Sequence, residues 1–210
     1  MATMAIKTRT GICAIACTTV SFILVLVAFC TSYWLENDGI LENPKFIRIG
    51  LWEVCLNNFE DINHHYDKKF TGCWWVFEDE YYIIQDFLWP GFFLATQFFF
   101  TLCITLLIVA AFLTWLYCFC SRDHDKYILL LMCIGADLII AGLCGFVAIL
   151  IFGIYGDRRD WMPNWEHNQL GLSFGLGSTG SLLLLPSGTL FLVEARRANY
   201  RRLQASRPSL

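Results

Sequence analysis

The chain alternates between long apolar stretches and short polar segments. Four stretches are long enough to form membrane-spanning helices, for which about 20 residues are needed. The predicted spans are residues 11–33, 90–120, 127–155 and 170–193. The polar segments before, between and after them are residues 1–10, 34–89, 121–126, 156–169 and 194–210. The pattern therefore predicts four helices, with one long loop between the first and the second.

Composition agrees with a membrane protein, because 57% of the residues are hydrophobic and only 16% are charged. Basic residues beside the spans mark the cytoplasmic side of a membrane protein. They occur before the first span, between the second and third spans, and in the tail: Lys7, Arg9, Arg122, Lys126, Arg196, Arg197, Arg201, Arg202 and Arg207. We therefore expect both termini in the cytoplasm, and the loops 34–89 and 156–169 outside the cell.

The long outer loop carries its own structural pattern. Residues Lys45–Cys55 partly alternate between polar and apolar, and Phe70–Val76 is rich in aromatic residues, as in short antiparallel strands. In Glu78–Leu88, apolar residues recur at helical spacing opposite acidic ones, which predicts a short amphipathic helix. A loop of this length without structure would be uncommon. We therefore predict a small sheet and a short helix.

The same loop is acidic, with eleven acids against four bases and a net charge of −7. Such a surface attracts cations over about 8–10 Å at physiological salt. The acids are equally consistent with a solvated surface that keeps the loop soluble. An interface is predicted at a cluster of aromatic and acidic residues: Trp74, Trp75, Glu78, Asp79, Glu80, Tyr81 and Tyr82. The alternative for the aromatic members is packing beneath the sheet.

Only two of the ten cysteines, Cys55 and Cys73, fall in the predicted outer loops. Because thiols outside the cell oxidise, these two are predicted to form a disulfide. Closing a loop of this size contributes about 3 kcal/mol in the chain-entropy model. Cys118 and Cys120 lie at the cytoplasmic end of the second span, where palmitoylation occurs. Two unmodified cysteines at the membrane boundary are an equally good interpretation.

Two features of the spans call for helix contacts. Asp137, near the middle of the third span, must face the bundle and find a donor, for which Gln97, Thr101 and Thr105 are the candidates. This isolated acid predicts a structural hydrogen bond better than an ion path. In the fourth span, Gly171-x-x-x-Gly175 predicts close approach of another helix, either within the bundle or from a neighbouring molecule.

No motif for catalysis is present. The chain has no nucleophile–base pair, no phosphate-binding loop and no zincin helix. His64 and His65 are adjacent on a polar loop without a second pair of ligands, so they predict exposed residues and not a metal site. The sequence therefore predicts a protein that is not an enzyme, with no catalytic residues, no cofactor, no metal and no nucleic-acid partner.

The ordered set of Trp34, Gly50-Leu51-Trp52, Cys55 and Cys73 in the first outer loop resembles the signature of the claudin and peripheral-myelin-protein superfamily. The resemblance implies a four-helix bundle in the membrane carrying a small extracellular antiparallel sheet, with one strand from the second loop. Since indole favours the membrane interface, Trp34 and Trp52 are predicted to anchor that sheet on the bilayer.

The long gap between the two cysteines and Pro208 near the C-terminus depart from typical vertebrate claudins. A first loop that diverges in this way resembles those of the claudin-like proteins of invertebrate septate junctions. The resemblance implies a structural protein of lateral epithelial junctions, whose loops form or organise a paracellular barrier. Its expected partners are membrane lipids and junction membrane proteins, in homo- or hetero-oligomers within one membrane and across the gap. The alternative is an auxiliary subunit of an ion channel or receptor.

Overall fold

The computed structural model describes residues 7–60, 69–79, 84–121, 124, 126–159 and 161–205, with only the backbone of Gln85 and Asp86. Its helices are α1 (Arg9–Cys30), α2 (Gln85–Leu88), α3 (Gly91–Phe119), α4 (Tyr127–Tyr155) and α5 (Leu172–Ala205). All but α2 are long and apolar enough to cross a membrane. In the bundle, α1 and α4 each pack against both α3 and α5, which confirms the predicted four-helix architecture.

A five-stranded antiparallel sheet covers one end of the bundle. Its strands are β1 (Leu35–Asn37), β2 (Phe46–Ile49), β3 (Glu53–Glu60), β4 (Lys69–Trp75) and β5 (Asn168–Leu170). The order across the sheet is β4-β3-β2-β1-β5. Since β5 comes from the second loop and places Leu170 opposite Leu35 of β1, both loops contribute to one sheet. This arrangement confirms the sheet that the resemblance implies.

The strand boundaries differ from the sequence pattern in one respect. The predicted alternating run Lys45–Cys55 is divided between β2 and β3 by a tight turn, in which the amide of Gly50 donates to the carbonyl of Glu53 over 2.8 Å. Of the predicted helix Glu78–Leu88, the structure shows α2 at its end, while the amide of Glu78 closes a turn onto the carbonyl of Trp75. Residues 80–83 lie outside the described part of the chain.

Helix α5 continues to Ala205, well beyond the predicted end of the fourth span at residue 193. The added turns carry polar contacts: Arg201 lies 3.3 Å from the buried carboxylate of Glu194. Arg202 donates to the carbonyl of His124, between α3 and α4. The apolar pattern predicted only the membrane span, and the helix continues beyond it in polar turns.

Small residues allow the helices to approach closely. A Cβ on Gly145 of α4 would lie 2.4 Å from the hydroxyl oxygen of Ser181 of α5, and one on Gly188 would lie 2.7 Å from the carbonyl oxygen of Gly135. By contrast, a Cβ on Gly175 would meet nothing within 4 Å. Gly175 therefore makes no close contact within this chain, whereas Gly171 lies directly against the backbone of Tyr33.

The predicted partners of Asp137 are also wrong. The side-chain amide of Gln97 donates to the carbonyl of Leu51 over 2.6 Å, so it bonds to the turn between β2 and β3 and not to Asp137. The hydroxyls of Thr101 and Thr105 donate to carbonyls one turn earlier in their own helix. Asp137 is half-buried, and its Oδ2 atom has no hydrogen-bond partner among the described residues.

Candidate functional site at the junction of sheet and helices

The segment 31–34 joins α1 to the sheet and is bonded to the start of α5. The backbone of Tyr33 donates to the hydroxyl of Ser173 over 3.1 Å and accepts from its amide over 2.9 Å. The hydroxyl of Thr31 lies 2.7 Å from that of Ser173. A Cβ on Gly171 would lie 2.4 Å from the carbonyl oxygen of Tyr33, so only glycine fits this crossing without a shift. The first and last spans are thereby tied together beneath the sheet.

Trp34 is the central side chain of this junction. Its indole has no exposed surface, and its Nε1 donates to the carbonyl of Ala28 over 2.8 Å. Its ring makes edge contacts with Phe100 of α3, Phe152 of α4 and Phe174 of α5, at centroid distances of 4.9, 5.1 and 6.0 Å. The predicted interfacial anchor is therefore a core residue that contacts three other helices. Its satisfied N–H makes this burial favourable.

The Gly50-Leu51 turn fits against the same segment. A Cβ on Gly50 would lie 2.4 Å from the Cα of Ser32 and 2.8 Å from the carbonyl oxygen of Thr31. Leu51 is fully buried, and its carbonyl accepts the hydrogen bond from Gln97 of α3. Glycine is therefore required here for a close backbone approach, and the turn is held by a polar side chain from the bundle.

The remaining signature residues extend the junction into β3 and β4. Trp52 is half-buried, with its ring 5.3 Å from that of Phe29. Cys55 and Cys73 are direct cross-strand partners with Cα atoms 4.0 Å apart, and they form the predicted disulfide. The carboxylate of Glu53 lies near both sulfurs, but sulfurs joined in a disulfide are not thiolate ligands for a metal.

A second link between the loops was not found by sequence reasoning. His167, just before β5, places Nδ1 2.9 Å from Oδ2 of Asp38, and its carbonyl accepts from the amide of Asp38 over 2.7 Å. The backbone amide of Ile40 and then His167 hold the pKa of the Asp38 carboxyl below its usual value. No local motif signals a pair so far apart in the chain.

The described members of the predicted interface lie in β4 or just after it. Trp74 and Trp75 are 48% and 56% exposed, so packing beneath the sheet does not account for them. Glu78 is half-buried and Asp79 is exposed, whereas Glu80, Tyr81 and Tyr82 lie outside the described residues. At the opposite end of the bundle, Cys118 and Cys120 are partly exposed free thiols.

Comparison with known protein families identifies this arrangement. The profile of the family described as PMP-22/EMP/MP20/Claudin tight junction matches residues 19–193. The chain belongs to this family. No individual curated protein gave a significant match. The match includes all six signature residues of this claudin-family protein, from Trp34 to Cys73, together with most of the four helices.

Membership in this family indicates the general role of the site where the sheet meets the helices. The family description names tight-junction proteins, and four helices of this chain are long and apolar enough to cross a membrane. In this claudin-family protein, the buried indole of Trp34 and the close contacts of two glycines fix the sheet to the helices, while the disulfide joins β3 to β4 within the sheet. The geometry suits the presentation of a rigid surface.

Proposed function

We propose that the protein is a structural component of a septate-type epithelial junction, where its loops form or organise a barrier to paracellular diffusion. Both termini are cytoplasmic and the sheet faces the intercellular space. The protein assembles with copies of itself or with other junction membrane proteins, within one membrane and across the gap. We propose that the two outer loops comprise residues 34–89 and 156–169, as predicted from the sequence.

The observation that carries this proposal is the fixation of the sheet on the helices. Trp34 joins the first loop to α3, α4 and α5, while β5 and Asp38–His167 join the second loop to the first. A surface held in this way keeps one orientation relative to the membrane, which a barrier built from repeated copies requires. Flexible loops would lose conformational entropy in each such contact.

The surface also has suitable chemistry. Trp74 and Trp75 expose large aromatic area on β4, and Trp and Tyr dominate the energetics of protein interfaces. Asp79 adds exposed negative charge beside them. The excess of acids in residues 34–89 favours cations near the barrier.

The proposal can be tested in epithelial monolayers that lack their own claudins and express the full chain. We expect continuous staining at lateral contacts and reduced passage of a tracer dye. Trp34→Ala should abolish both, whereas Trp115→Ala, which alters an exposed indole on α3, should abolish neither. A C-terminal tag labelled on intact cells would contradict the topology. Exclusion of dye by the Trp34 variant, or co-purification with a pore-forming subunit without junction staining, would favour the channel-subunit alternative.

A further inference from the structure

An open groove of about 230 Å³ lies where α1 ends beneath β3 and β4. We call it the indole groove. It is bounded on one side by the last turn of α1 and the residues that follow it, and on the other by the two strands. Its lining residues are Phe29, Cys30, Thr31, Ser32, Trp52, Glu53, Cys73, Trp74 and Trp75. The groove is distinct from the Trp34 cluster, which is closed.

Four of the nine residues that line the indole groove are aromatic. Trp52 and Phe29 meet edge to face at a centroid distance of 5.3 Å. Trp74 and Trp75 keep about half of their surfaces free, at 48% and 56% exposure. The face of an aromatic ring carries negative electrostatic potential, so several rings around one space attract a cation.

Two further features add negative potential to the groove. The Glu53 carboxylate lies in the lining, with its side chain 45% exposed. It accepts from Ser32 over 3.4 Å and forms an ion pair with Arg48 over 3.9 Å, so the guanidinium offsets part of its negative charge. The C-terminal end of α1 also faces the groove, and its last turn contains no basic residue to offset the negative end of the helix dipole.

The lining residues favour one class of cation over the others. Small metal ions prefer several oxygen ligands, whereas the groove offers one carboxylate. An ammonium or guanidinium group brings N–H donors that need acceptors. A quaternary ammonium has no N–H, spreads its charge over methyl groups, and is bound by aromatic cages.

The position of the groove selects the source of that cation. Helix α1 is a membrane-length helix that ends at Cys30, so the groove lies at headgroup level, where Trp side chains are enriched. We propose that the indole groove binds the trimethylammonium headgroup of a choline phospholipid. The aromatic faces and Glu53 contact the cation, while the acyl chains remain in the bilayer beside α1. This inference is independent of the barrier function, and the proposed topology assigns it to the outer leaflet.

The test uses the full chain in maltoside micelles, which contain no choline. Native mass spectrometry compares a phosphatidylcholine with a phosphatidylethanolamine of identical acyl chains. We expect about tenfold tighter binding of phosphatidylcholine, and Glu53→Gln should remove most of that preference. Glu60→Gln is the matched control, because Glu60 lies on the same strand but pairs with Lys69 at its far end.

A second variant covers the case in which Glu53→Gln misfolds. Trp75→Leu should also remove the preference, while Trp115→Leu on the exposed face of α3 should keep it. Equal binding of the two lipids, or equal effects of the groove and control variants, would overturn the proposal. Complete displacement of phosphatidylcholine by free choline chloride would overturn the lipid assignment and indicate that the natural ligand is a soluble quaternary ammonium compound. If the groove variants change the oligomeric state but not the amount of bound lipid, the proposal is overturned, and the occupant of the groove is a basic side chain of a second copy.

Discussion

Gly50 and Ser32 approach so closely that a Cβ on the glycine would lie 2.4 Å from the Cα of the serine. The neighbouring atoms are backbone and cannot rotate away. This contact seats the turn between β2 and β3 on the residues that follow α1.

The first prediction concerns this contact. Gly50→Ala should lower the free energy of unfolding by about 1–3 kcal/mol, the usual cost of inserting atoms into a packed site. Gly175→Ala is the control, since a Cβ there meets nothing and alanine is the better helix former. Thermal unfolding in detergent, followed by tryptophan fluorescence, measures both. Equal stability of the two variants would show that the backbone at Gly50 can relax.

The second prediction concerns Gln97, which is 4% exposed and donates to the carbonyl of Leu51. Gln97→Met keeps the volume but leaves this buried carbonyl without its donor, which should cost about 1–3 kcal/mol. Thr105→Val serves as the control, because that hydroxyl is exposed and bonds only to its own helix. Denaturant unfolding should separate the two variants, and a neutral Gln97→Met would mean that another donor replaces the amide.

The third prediction concerns pH. Because the pKa of Asp38 is lowered in the folded protein, its ionised form stabilises the fold at pH values above its usual value of 3.8. That contribution is lost as the pH falls through the lower folded value. Wild type should therefore lose more stability than Asp38→Asn between about pH 5 and pH 3. Melting temperatures measured across this range test the expectation, and parallel pH curves for the two proteins would refute it.

The fourth prediction concerns the charge of the barrier. Replacing Glu78 and Asp79 by the corresponding amides should leave junction staining intact and reduce the preference for cations over anions. These residues border the exposed Trp74 and Trp75 but are not part of the junction with the helices. Dilution potentials across the monolayer measure the preference. Substitution of Glu166 in the second loop provides a control for general loss of negative charge.

The sequence was most informative where a local pattern carried the information. Helix α4 begins and ends at the residues that were predicted for the third span, and the single pair of outer cysteines predicted the disulfide. Hydrophobicity could not show that α5 continues to Ala205, because polar helical turns outside the membrane have no apolar signal.

Long-range placement could not be predicted in the same way. Trp34 looked like an interfacial residue because it ends an apolar span, yet its ring is buried by residues from three other helices. Gln97 seemed available to Asp137, but the fold assigns it to Leu51. Such choices depend on how helices are rotated about their axes, which the local pattern of a single sequence does not reveal.

The burial of Trp34 against Phe174 also has a consequence for biosynthesis. Trp34 is synthesised early in translation, whereas strand β5 and Phe174 are synthesised only just before and within the last span. The sheet therefore remains incomplete during most of translation. Strand β1 cannot pair with β5 until the segment before the last span has been synthesised. A ribosome that stops before the fourth span releases a chain whose main aromatic cluster is open, in a form that cellular quality control can recognise.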